Sequence, residues 1–557
     1  MDFREKIEKA ISKATGTEVK IEIPPDPSLG DYAYPCFELS KKKKQPPAQI
    51  ANDLQKKIKL DFLKKIEVKG AYLNFFIKKE EVIKNTLKEI SKRKKKYGLS
   101  DVGKKKKVIV EYSGPNTNKP LHIGHLKNQA IGMSIIRLLE ATSHKVIKKN
   151  IISDRGIHIC QSMLAYQKWG NGEKPKEKSD HFVGRWYVTF HKRKTEELEK
   201  EVHEMLVKWE KKDKKVRDLW KKMNDWAIDG IKETYKDFGS EFDVWMYESK
   251  FYDKAGPIIE DGLKKKVFKK DKDGKIVAKL EKYGLPDKTI LRADGTSIYI
   301  TNDLAMTKHQ FDKYKPNKSI WVVASEQKAY FQQLFKIFEL LGYPWHDRCY
   351  HLSYGMVNLL EGKMKSREGN VVDADDLIEK TRMLAEEETK KRNPKLKHKE
   401  LYLRSRKIGL AAIKFYLLRT DPARDVLFDI KSSISFDGET GPYLQYSLAR
   451  ANSILKKCKA GKRFNHGLLK SSESYELVKK FSQYPEMVTQ AALQLRPHLV
   501  ATYLLDLAQS FNNFYHKEKV IQEDQELQKA RLKLVSAFKQ IMENGLKLLD
   551  IESLEEM

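Results

Sequence analysis

Cysteine is scarce in this sequence, and the few that occur are spread too widely for a disulfide framework or a cysteine-rich metal site. The chain has 557 residues and four cysteines, none in a Cys-x-x-Cys pair: Cys36, Cys160, Cys349 and Cys458. We interpret them as reduced, buried thiols. Long apolar runs are also lacking, since no stretch reaches the ~18 consecutive apolar residues of a transmembrane helix, and the charged start has no signal-peptide core. We therefore expect a soluble, cytoplasmic protein without membrane association.

Acidic residues are too few to balance the basic ones. Lys and Arg number 109 against 77 Asp and Glu, which gives a net charge of +32. So large an excess favours a polyanion partner, although a merely lysine-rich soluble protein would show the same total. Hydrophobic residues make up 40% of the chain, and its length of 557 residues suggests about three or four domains, each with its own core.

A strand, a loop and a helix are predicted between Val108 and Leu138. Val108 to Val110 is a short β-branched run, bounded by charge before it and by turn residues after it. Glycine and proline forbid regular structure in the loop, and apolar residues recur at helical spacing from Ile123. The pattern places His122 and His125 at a helix N-terminus, where free N–H groups and the helix dipole favour an anion such as a phosphate.

The spacing of these histidines supports the same prediction. At i and i+3 they can face one side of the first turn, and Gly124 between them lets a flat ring or a phosphate approach the backbone. Lys119 supplies a further cation just upstream. The residues alone leave two alternatives open: half of a zinc site, for which no further ligands stand nearby, and two histidines satisfied within a loop.

The longer run around the histidines resembles the HIGH motif of class I aminoacyl-tRNA synthetases, and in this wording that of the arginyl-tRNA synthetase family. It reads His122-Ile123-Gly124-His125 after Ser-Gly-Pro-Asn-x-x-Lys-Pro-Leu, and matches continue along nearly the whole chain. The resemblance implies a multidomain α/β plus all-α protein. We expect a Rossmann-like catalytic domain with HIGH and KMSKS-like loops, a small α+β N-terminal domain and a helical C-terminal bundle.

Four segments are predicted along the chain. Residues 1–105 form an α+β module with a strand from Val19 to Ile23 and a loop through Tyr32, and they resemble the N-terminal addition that contacts tRNA in the family. The catalytic domain spans 106–375, with a connective insertion at about 166–285 in which the sheet pattern is lost. A helical connector at 376–431 and a helical anticodon-binding domain at 432–557 follow, and only helices are expected after about residue 375.

Within the catalytic domain the second strand is predicted at Val146-Ile147, with a loop from Asn150 to Gly156. No role is predicted for Arg155, which stands where the family commonly has tryptophan. The insertion is expected to contain a hairpin that turns at Asp273-Gly274. Its tryptophans at 186, 209, 220 and 226 are predicted to form a core rather than base-stacking platforms. The sheet is expected to resume with a strand and strand-end loop from Ser297 to Ala305, and again at Ile320 to Val323.

A basic loop between Glu361 and Asn370 resembles the KMSKS loop. It carries three cations within five residues, Lys363, Lys365 and Arg367, and glycines bracket it, as a mobile clamp on a polyphosphate requires. Ser366 stands at the second lysine position of the motif, and the resemblance implies that Lys119 supplies the missing charge. A solvated surface turn is the alternative for an isolated basic loop.

The resemblance implies joining of an amino acid to AMP and then to tRNA, with ATP as substrate, Mg²⁺ accompanying ATP and no dedicated protein metal site. Because the substrate carboxylate is the nucleophile, the protein has to position two anions and neutralise charge. The predicted catalytic residues are His122, His125, Lys119, Lys363 and Arg367. The predicted ATP-binding residues are Gly124, His122, His125, Met356, Val357, Lys363 and Met364.

A guanidinium is best held by carboxylates in bidentate geometry, which singles out Asp303, in the strand-end loop, and Glu111, at the end of the HIGH strand. The resemblance implies that Tyr299 helps to hold the guanidinium, and that Asn116 and Gln327 hold the amino-acid end. Gly114 replaces a serine common in the family, so one hydrogen bond is expected to be missing. Each acid taken alone could equally form a structural salt bridge.

The partners expected from the resemblance are arginine-specific tRNA, L-arginine and ATP, and the protein is expected to be a monomer. Three rival hypotheses are weighed against this one. A class I synthetase for another amino acid is disfavoured by the set of Glu111, Tyr299 and Asp303, and a catalytically silent tRNA-binding relative by the intact HIGH motif and Lys363. A small nucleotidyltransferase with a His-x-Gly-His motif would lack the helical C-terminus, whose aromatics, such as Tyr443 and Phe511, serve either as core or as base-stacking groups.

Overall fold

The computed structural model describes residues 3–360, 372–459, 461 and 464–557. Its α-helices are α1 (Phe3–Thr15), α2 (Phe37–Lys43), α3 (Pro47–Lys57), α4 (Lys79–Arg93), α5 (Ile123–Ala141), α6 (Ile157–Trp169), α7 (Ser179–Lys192), α8 (Glu196–Glu210), α9 (Lys214–Phe238), α10 (Gly256–Lys264), α11 (Tyr299–Tyr314), α12 (Lys328–Leu340), α13 (Ala374–Arg392), α14 (His398–Leu418), α15 (Ile430–Ser433), α16 (Gly441–Lys457), α17 (Ser472–Gln494), α18 (His498–Lys517) and α19 (Gln525–Leu548). Within these residues no helix combines the length and the hydropathy that a bilayer crossing requires.

In the described part of the chain the strands lie in four sheets. They are β1 (Tyr32–Pro35), β2 (Leu63–Lys69), β3 (Tyr72–Ile77), β4 (Lys107–Glu111), β5 (Lys145–Ile152), β6 (Val244–Tyr247), β7 (Phe268–Lys270), β8 (Ile276–Ala278), β9 (Lys288–Leu291), β10 (Lys318–Ala324), β11 (Cys349–Tyr354), β12 (Val357–Leu359) and β13 (Val426–Phe428). The chain divides into two compact units, one of residues 1–97, 450–485 and 506–544, the other of residues 98–449, 486–505 and 545–557.

The first unit contains the N-terminal antiparallel sheet, in the order β1-β3-β2, with helices α1 to α4. The predicted strand from Val19 to Ile23 does not form and leaves only an isolated bridge between Glu22 and Ala33. Its Ile21 N–H is taken by the Glu8 carboxylate at 3.1 Å, and two prolines follow, so the segment offers few donors to a sheet. Tyr32 to Pro35, part of it predicted as loop, forms the edge strand β1 instead.

The second unit is organised around a parallel sheet in the order β11-β10-β4-β5-β6. From β4 the chain goes first to β5 and β6 on one side, and later to β10 and β11 on the other. The strand order therefore reverses between β4 and β10, and in open α/β sheets ligands bind at the carboxyl ends of the strands at such a point. The HIGH strand β4 and the histidine-bearing helix α5 stand at this point, as the sequence predicts.

The predicted insertion at about 166–285 is interrupted by a strand of the main sheet, because Val244 to Tyr247 form β6 and pair with the end of β5. Before β6, helices α6 to α9 pack around a core that includes Trp186, with Trp220 and Trp226 packed against it. After β6, the small sheet β7-β8-β9 contains the predicted hairpin around Asp273-Gly274. Trp209 is 1% exposed, so the prediction that these tryptophans are core residues is confirmed.

Two further predictions of secondary structure are wrong. Tyr299 to Ala305 begin helix α11 rather than a strand and its end loop, since the Thr301 hydroxyl accepts the Ile298 N–H at 3.0 Å and so satisfies a donor at the helix start. The region after residue 375 is not purely helical, because β13 pairs in parallel with β12. Both segments are short or rich in β-branched residues, where local preference is weak.

The last residues of the chain, 545–557, belong to the second unit. The Ser134 hydroxyl of α5 donates to the Leu548 carbonyl at 2.8 Å, across 414 residues of sequence. Lys414 of α14 lies 2.7 Å from the Asp550 carboxylate. The helix that carries the HIGH motif is thus packed partly by the C-terminal segment.

Candidate functional site

The loop between β4 and α5 is held by side-chain amides from neighbouring elements. Ser113 and Gly114 both have positive φ, 75° and 64°, and so depart from regular backbone at the end of the strand. The Ser113 N–H donates to Asn128 Oδ1 at 2.6 Å and the Gly114 N–H to Asn150 Oδ1 at 3.1 Å. Asn128 also donates to the Val322 carbonyl at 2.7 Å, so one side chain links α5 to the ends of β4 and β10.

The two histidines of the HIGH motif form a reciprocal cap on α5. His122 Nδ1 accepts the Gly124 N–H, and His125 Nδ1 accepts the His122 N–H, each at 3.1 Å. A neutral imidazole that accepts at Nδ1 carries its proton on Nε2, so each ring keeps an Nε2–H donor. A side chain at Gly124 would bring its Cβ within 2.9 Å of the His122 ring, which explains the glycine.

Both rings are held in the neutral state. Burial, with a smaller contribution from Lys119, lowers the pKa of His122 to about 3. Burial also lowers the pKa of His125 well below its usual value, aided by His122 and Lys119. The ring centroids are 3.9 Å apart, so protonation of both would place two charges side by side. At neutral pH the motif therefore presents two uncharged hydrogen-bond donors.

A cavity of about 470 Å³ opens in front of the histidines. It is lined by the ends of β4 and β10, the start of α5 and the segment from Tyr354 to Asn358. Among its lining residues are seven of the predicted site residues: Glu111, Lys119, His122, Gly124, His125, Met356 and Val357. The structure thus brings most of the predicted nucleotide site together at the switch point of the sheet.

A buried lysine fixes the wall of this cavity that contains Met356. Lys127 of α5 is 1% exposed, and its ammonium donates to the carbonyls of Gly355 and Arg424 at 2.6 and 3.0 Å. Gly355 has no room for a side chain, since a Cβ there would lie 2.4 Å from the Arg424 carbonyl carbon. The chain segment before β12, the segment before β13 and helix α5 are therefore joined at one point.

The predicted arginine-binding acids lie at the carboxyl end of the same sheet. Glu111 is the last residue of β4, as predicted, whereas Asp303 lies in the first turns of α11 and not in a strand-end loop. Tyr330 of α12 donates its hydroxyl to Asp303. Burial raises the pKa of Asp303 to about 6, with a smaller contribution from the charge of Glu111. A buried carboxylate with so few donors is well suited to bind a cation.

A third acid, Glu248, interacts with Asp303 and was not predicted from the sequence. It follows β6 directly, is 6% exposed and accepts the Ser153 hydroxyl at 2.8 Å. Burial raises its pKa to about 8, and the nearby charge of Asp303 adds to the effect. The signal that could have revealed it was its position at the end of a sheet strand, but β6 has only four residues between long helical segments.

The other predicted arginine-binding residues lie on different loops around this edge. Tyr299, at the start of α11, is one helical turn before Asp303 and is 55% exposed. Asn116 is half-buried in the HIGH loop and forms a backbone bridge with Ser153. Gln327 is exposed in the turn that follows β10. The positions are compatible with a common substrate, and their roles stay predictions.

Arg155, to which the sequence assigned no role, joins the insertion to the start of α11. Its guanidinium donates to the Ser297 hydroxyl at 2.8 Å and pairs with Glu210 of α8. It also lies 4.9 Å from the centre of the Tyr252 ring. Because Ser297 lies two residues before Tyr299, these contacts let Arg155 position the start of α11.

Lys363, Met364 and Arg367 lie outside the described residues, so the structure places none of the KMSKS-like loop. The segment that follows is fixed to the HIGH motif, because the Ile123 N–H donates to the Val372 carbonyl at 3.2 Å and the Ala374 N–H donates to the Leu121 carbonyl at 3.0 Å.

A network of charged side chains holds the start of α13. Asp375 accepts from Lys178 at 2.7 Å, from His181 at 3.0 Å and from the Thr234 hydroxyl at 2.9 Å. Within the described residues this is the one acid–histidine group compact enough for a metal, formed by Asp180, His181 and Asp375. Lys178 lies 3.1 Å from Asp180 as well, so its ammonium already supplies the positive charge between the carboxylates.

Comparisons with known proteins agree along the whole chain. Residues 86–430 match the family "tRNA synthetases class I (R), catalytic domain", residues 1–77 match "Arginyl tRNA synthetase N terminal domain" and residues 444–557 match "DALR anticodon binding domain". The chain is 42% identical to the arginine–tRNA ligase of Treponema denticola, over 97% of this chain and 95% of that protein.

The chain belongs to the arginyl-tRNA synthetase family.

A second arginyl-tRNA synthetase relative, the arginine–tRNA ligase of Treponema pallidum, is 40% identical over 98% of this chain and 96% of its own. Among solved structures, the Thermus thermophilus arginyl-tRNA synthetase superposes with a TM-score of 0.84 at 27% identity, over 100% of both chains. The Plasmodium falciparum enzyme has the same fold, with a TM-score of 0.80 at 19% identity over 100% of this chain and 99% of its own. Membership in the arginyl-tRNA synthetase family confirms the resemblance and the fold class predicted from the sequence.

Proposed function

We propose that the protein is an arginine–tRNA ligase, which joins L-arginine to AMP with release of pyrophosphate and then transfers the arginyl group to its tRNA. The observation that carries the proposal is the pairing of two sites at one sheet edge. One is a cavity with two neutral histidine donors, and the other is a buried group of carboxylates matched to a guanidinium. Family membership supports the same reaction.

In this proposal the Nε2–H groups of His122 and His125 donate to phosphate oxygens of ATP as charge develops at the α-phosphate. Neutral donors suit this task, because they stabilise the developing charge without holding the product phosphates as strongly as cations would. Lys119 adds a cation beside them, and Lys363 and Arg367 are proposed to neutralise the leaving pyrophosphate. Gly124, Met356, Val357 and Met364 are proposed to contact the nucleotide.

The nucleophile is the carboxylate of arginine itself, so no general base on the protein is required. The protein has to hold this carboxylate in line with the α-phosphate. Glu111, Asp303 and Glu248 are proposed to hold the guanidinium, with Tyr299 beside them, and Asn116 and Gln327 the amino-acid end. Lysine and citrulline should be rejected, because a site built from carboxylates leaves its acceptors unpaired with either one.

Magnesium is proposed to enter with ATP and to be held mainly by the phosphates. His122, His125 and Lys119 of the cavity are nitrogen groups, which suit phosphate oxygens rather than a Mg²⁺ ion. We further propose a cytoplasmic monomer whose segments at 1–105, 106–375, 376–431 and 432–557 act as tRNA-contacting, catalytic, connecting and anticodon-binding domains. The net charge of +32 supports binding of a polyanion such as tRNA.

Exchange between ATP and radiolabelled pyrophosphate tests the proposal. It is measured with each of the twenty amino acids, with and without unfractionated tRNA. Exchange with arginine alone, dependent on tRNA, is the expected result and would also show that tRNA binding is coupled to the chemistry. Exchange with a different amino acid would overturn the arginine site, and silence in a protein that still binds tRNA would favour a binding-only relative.

A further inference from the structure

A lysine is buried beside the carboxylates of the proposed arginine site. Lys149 lies on β5 and is 1% exposed. It stands in register with Glu111 on the neighbouring parallel strand, so the two side chains point to the same face of the sheet. Lys149 Nζ lies 2.9 Å from Glu111 Oε2. Burial of an ammonium is costly unless it is paired, which indicates that this charge serves a purpose at its position.

The lysine is held by a second acceptor that is itself oriented. Lys149 Nζ donates to Gln310 Oε1 at 2.6 Å, and Gln310 Nε2 donates to the Ser319 hydroxyl at 3.0 Å. Because the amide nitrogen is engaged by Ser319, the amide oxygen is turned towards Lys149. The ammonium is therefore fixed in place between α11 and the sheet, beside Glu111.

The charged and titratable groups that face Lys149 are mostly acids. Glu111 comes from β4, and Asp303 and His309 come from α11. Glu248 and Tyr330 each interact with Asp303, and through Asp303 they belong to the same group. Asp303 interacts with both Glu111 and Glu248, so repulsion among these carboxylates favours proton uptake unless cations compensate it.

We propose that Lys149 is a positioning residue of the arginine site, whose fixed ammonium orients Glu111 and offsets part of the negative charge with which Glu111, Asp303 and Glu248 hold the guanidinium. This inference rests on the proposed function. Lys149 is the cation paired with Glu111, and the guanidinium of arginine brings a further cation to the same carboxylates. The lysine sets how negative the site is, and hence how protons and guanidinium compete for it.

Removal of this charge has two opposite effects, which gives the inference a distinctive signature. In a Lys149→Met variant the site is more negative, so it takes up protons more readily and binds arginine less well at low pH. Once all the carboxylates are ionised, the same variant lacks a cation that repels the guanidinium, and it binds arginine more tightly. Curves of arginine KM against pH for wild type and variant should therefore cross, whereas a purely structural defect shifts the curve without crossing.

The experiment measures arginine KM and ATP KM by pyrophosphate exchange with tRNA present, from pH 6 to pH 9. For Lys149→Met the arginine KM is expected to be about tenfold above wild type at pH 6, the effect of raising the site's proton affinity by about one pH unit, and below wild type at pH 9. ATP KM should be unchanged. Lys148→Met is the matched control, because Lys148 is the next residue on the strand, faces the other side and pairs with Glu241 at 2.8 Å.

A second variant, Lys149→Gln, removes the charge but keeps a hydrogen-bond donor for Glu111 and Gln310, so it serves if Lys149→Met alone fails to fold. It should show the same crossing of the two curves. Parallel curves in the variant that folds would overturn the inference. Absence of arginine-dependent exchange in wild type would instead overturn the proposed function.

Discussion

The ammonium of Lys127 lies 2.6 Å from the carbonyl oxygen of Gly355, a contact that ties the HIGH helix to the chain segment carrying Met356. Loss of the lysine would cost free energy of folding, because the carbonyls of Gly355 and Arg424 would both lose their charged donor inside the protein. The cavity wall next to the proposed adenosine site thus depends on one side chain.

Lys127→Met should therefore weaken ATP binding and lower the free energy of unfolding by about 2–4 kcal/mol, since several buried acceptors are left unpaired. Lys127→Arg keeps a charged donor and should retain most of the stability. Pyrophosphate exchange at varied ATP and thermal unfolding measure the two effects. An ATP KM unchanged in Lys127→Met would show that this wall does not position the nucleotide.

His122→Ala should slow the adenylation step far more than it weakens ATP binding. The Nε2–H donor is proposed to act where charge develops, so its loss should raise the activation barrier by about 2–4 kcal/mol, as for an oxyanion donor. Single-turnover kinetics separate this step from binding. His144→Ala is the control, because His144 lies after α5 and outside the cavity. An effect on ATP KM alone would reduce His122 to a binding role.

Asp303→Asn should raise the arginine KM much more than the ATP KM. The amide keeps the shape of the side chain and a partner for the Tyr330 hydroxyl, but it loses the charge that attracts a guanidinium. A loss of about 2–4 kcal/mol in arginine binding is expected for an unpaired buried charge. Asp312→Asn on the same helix, exposed and paired with Lys308, is the control. Equal effects on both substrates would contradict the assignment.

Arginine binding should strengthen as the pH rises from 6 to 8. The pKa of Asp303 is raised to about 6 and that of Glu248 to about 8, so protons occupy these carboxylates at the lower end of the range. The guanidinium stays charged throughout and has to displace those protons. Calorimetry in buffers of different ionisation enthalpy should detect proton release on binding, and binding without proton release would contradict the pKa values.

Asp375→Asn should destabilise the protein near neutral pH, by about 1–3 kcal/mol for a broken network of charged hydrogen bonds. Burial alone would raise the pKa of Asp375, but hydrogen bonds from His181 and Lys178 outweigh it and hold the pKa at about 2. This contribution is present above the ordinary aspartate pKa of 3.8 and is lost as the pH falls towards 2.

The partner His181 contributes in the opposite sense, because its hydrogen bond to Asp375 raises its pKa. Its contribution is complete below the usual histidine pKa of 6.5 and is lost as the pH rises through the raised value. Asp376→Asn, at the neighbouring exposed position, is the control for thermal unfolding between pH 4 and pH 9. Equal behaviour of the two variants would show that the network adds nothing to stability.

The sequence predicts well where one local pattern decides the structure. The strand, loop and helix around His122 are set by β-branched residues, turn formers and helical periodicity within thirty or so residues, and such patterns are short-range. Tyr299 and Asp303 were assigned to the wrong element, because a β-branched run at a helix start resembles a strand, and their part in the arginine site stays a prediction.

Glu248 and Lys149 could not be identified in the same way. Each is an ordinary charged residue in the sequence, and each acquires its role from non-local pairing, of β6 with β5 and of β5 with β4. Strand neighbours far apart in sequence leave no periodic signal in either segment. The structure was needed to show that a buried lysine lies beside the carboxylates of Glu111 and Asp303.

The hydrogen bond from Ser134 to Leu548 also sets an order of events during synthesis. The two residues are 414 positions apart, so at ~5–20 residues per second the ribosome takes roughly 20 to 80 s to supply the partner of a helix it has already made. Until residues 545–557 are made, the second unit lacks the buried Leu548, Leu549 and Ile551, and the surface that they cover stays exposed to solvent.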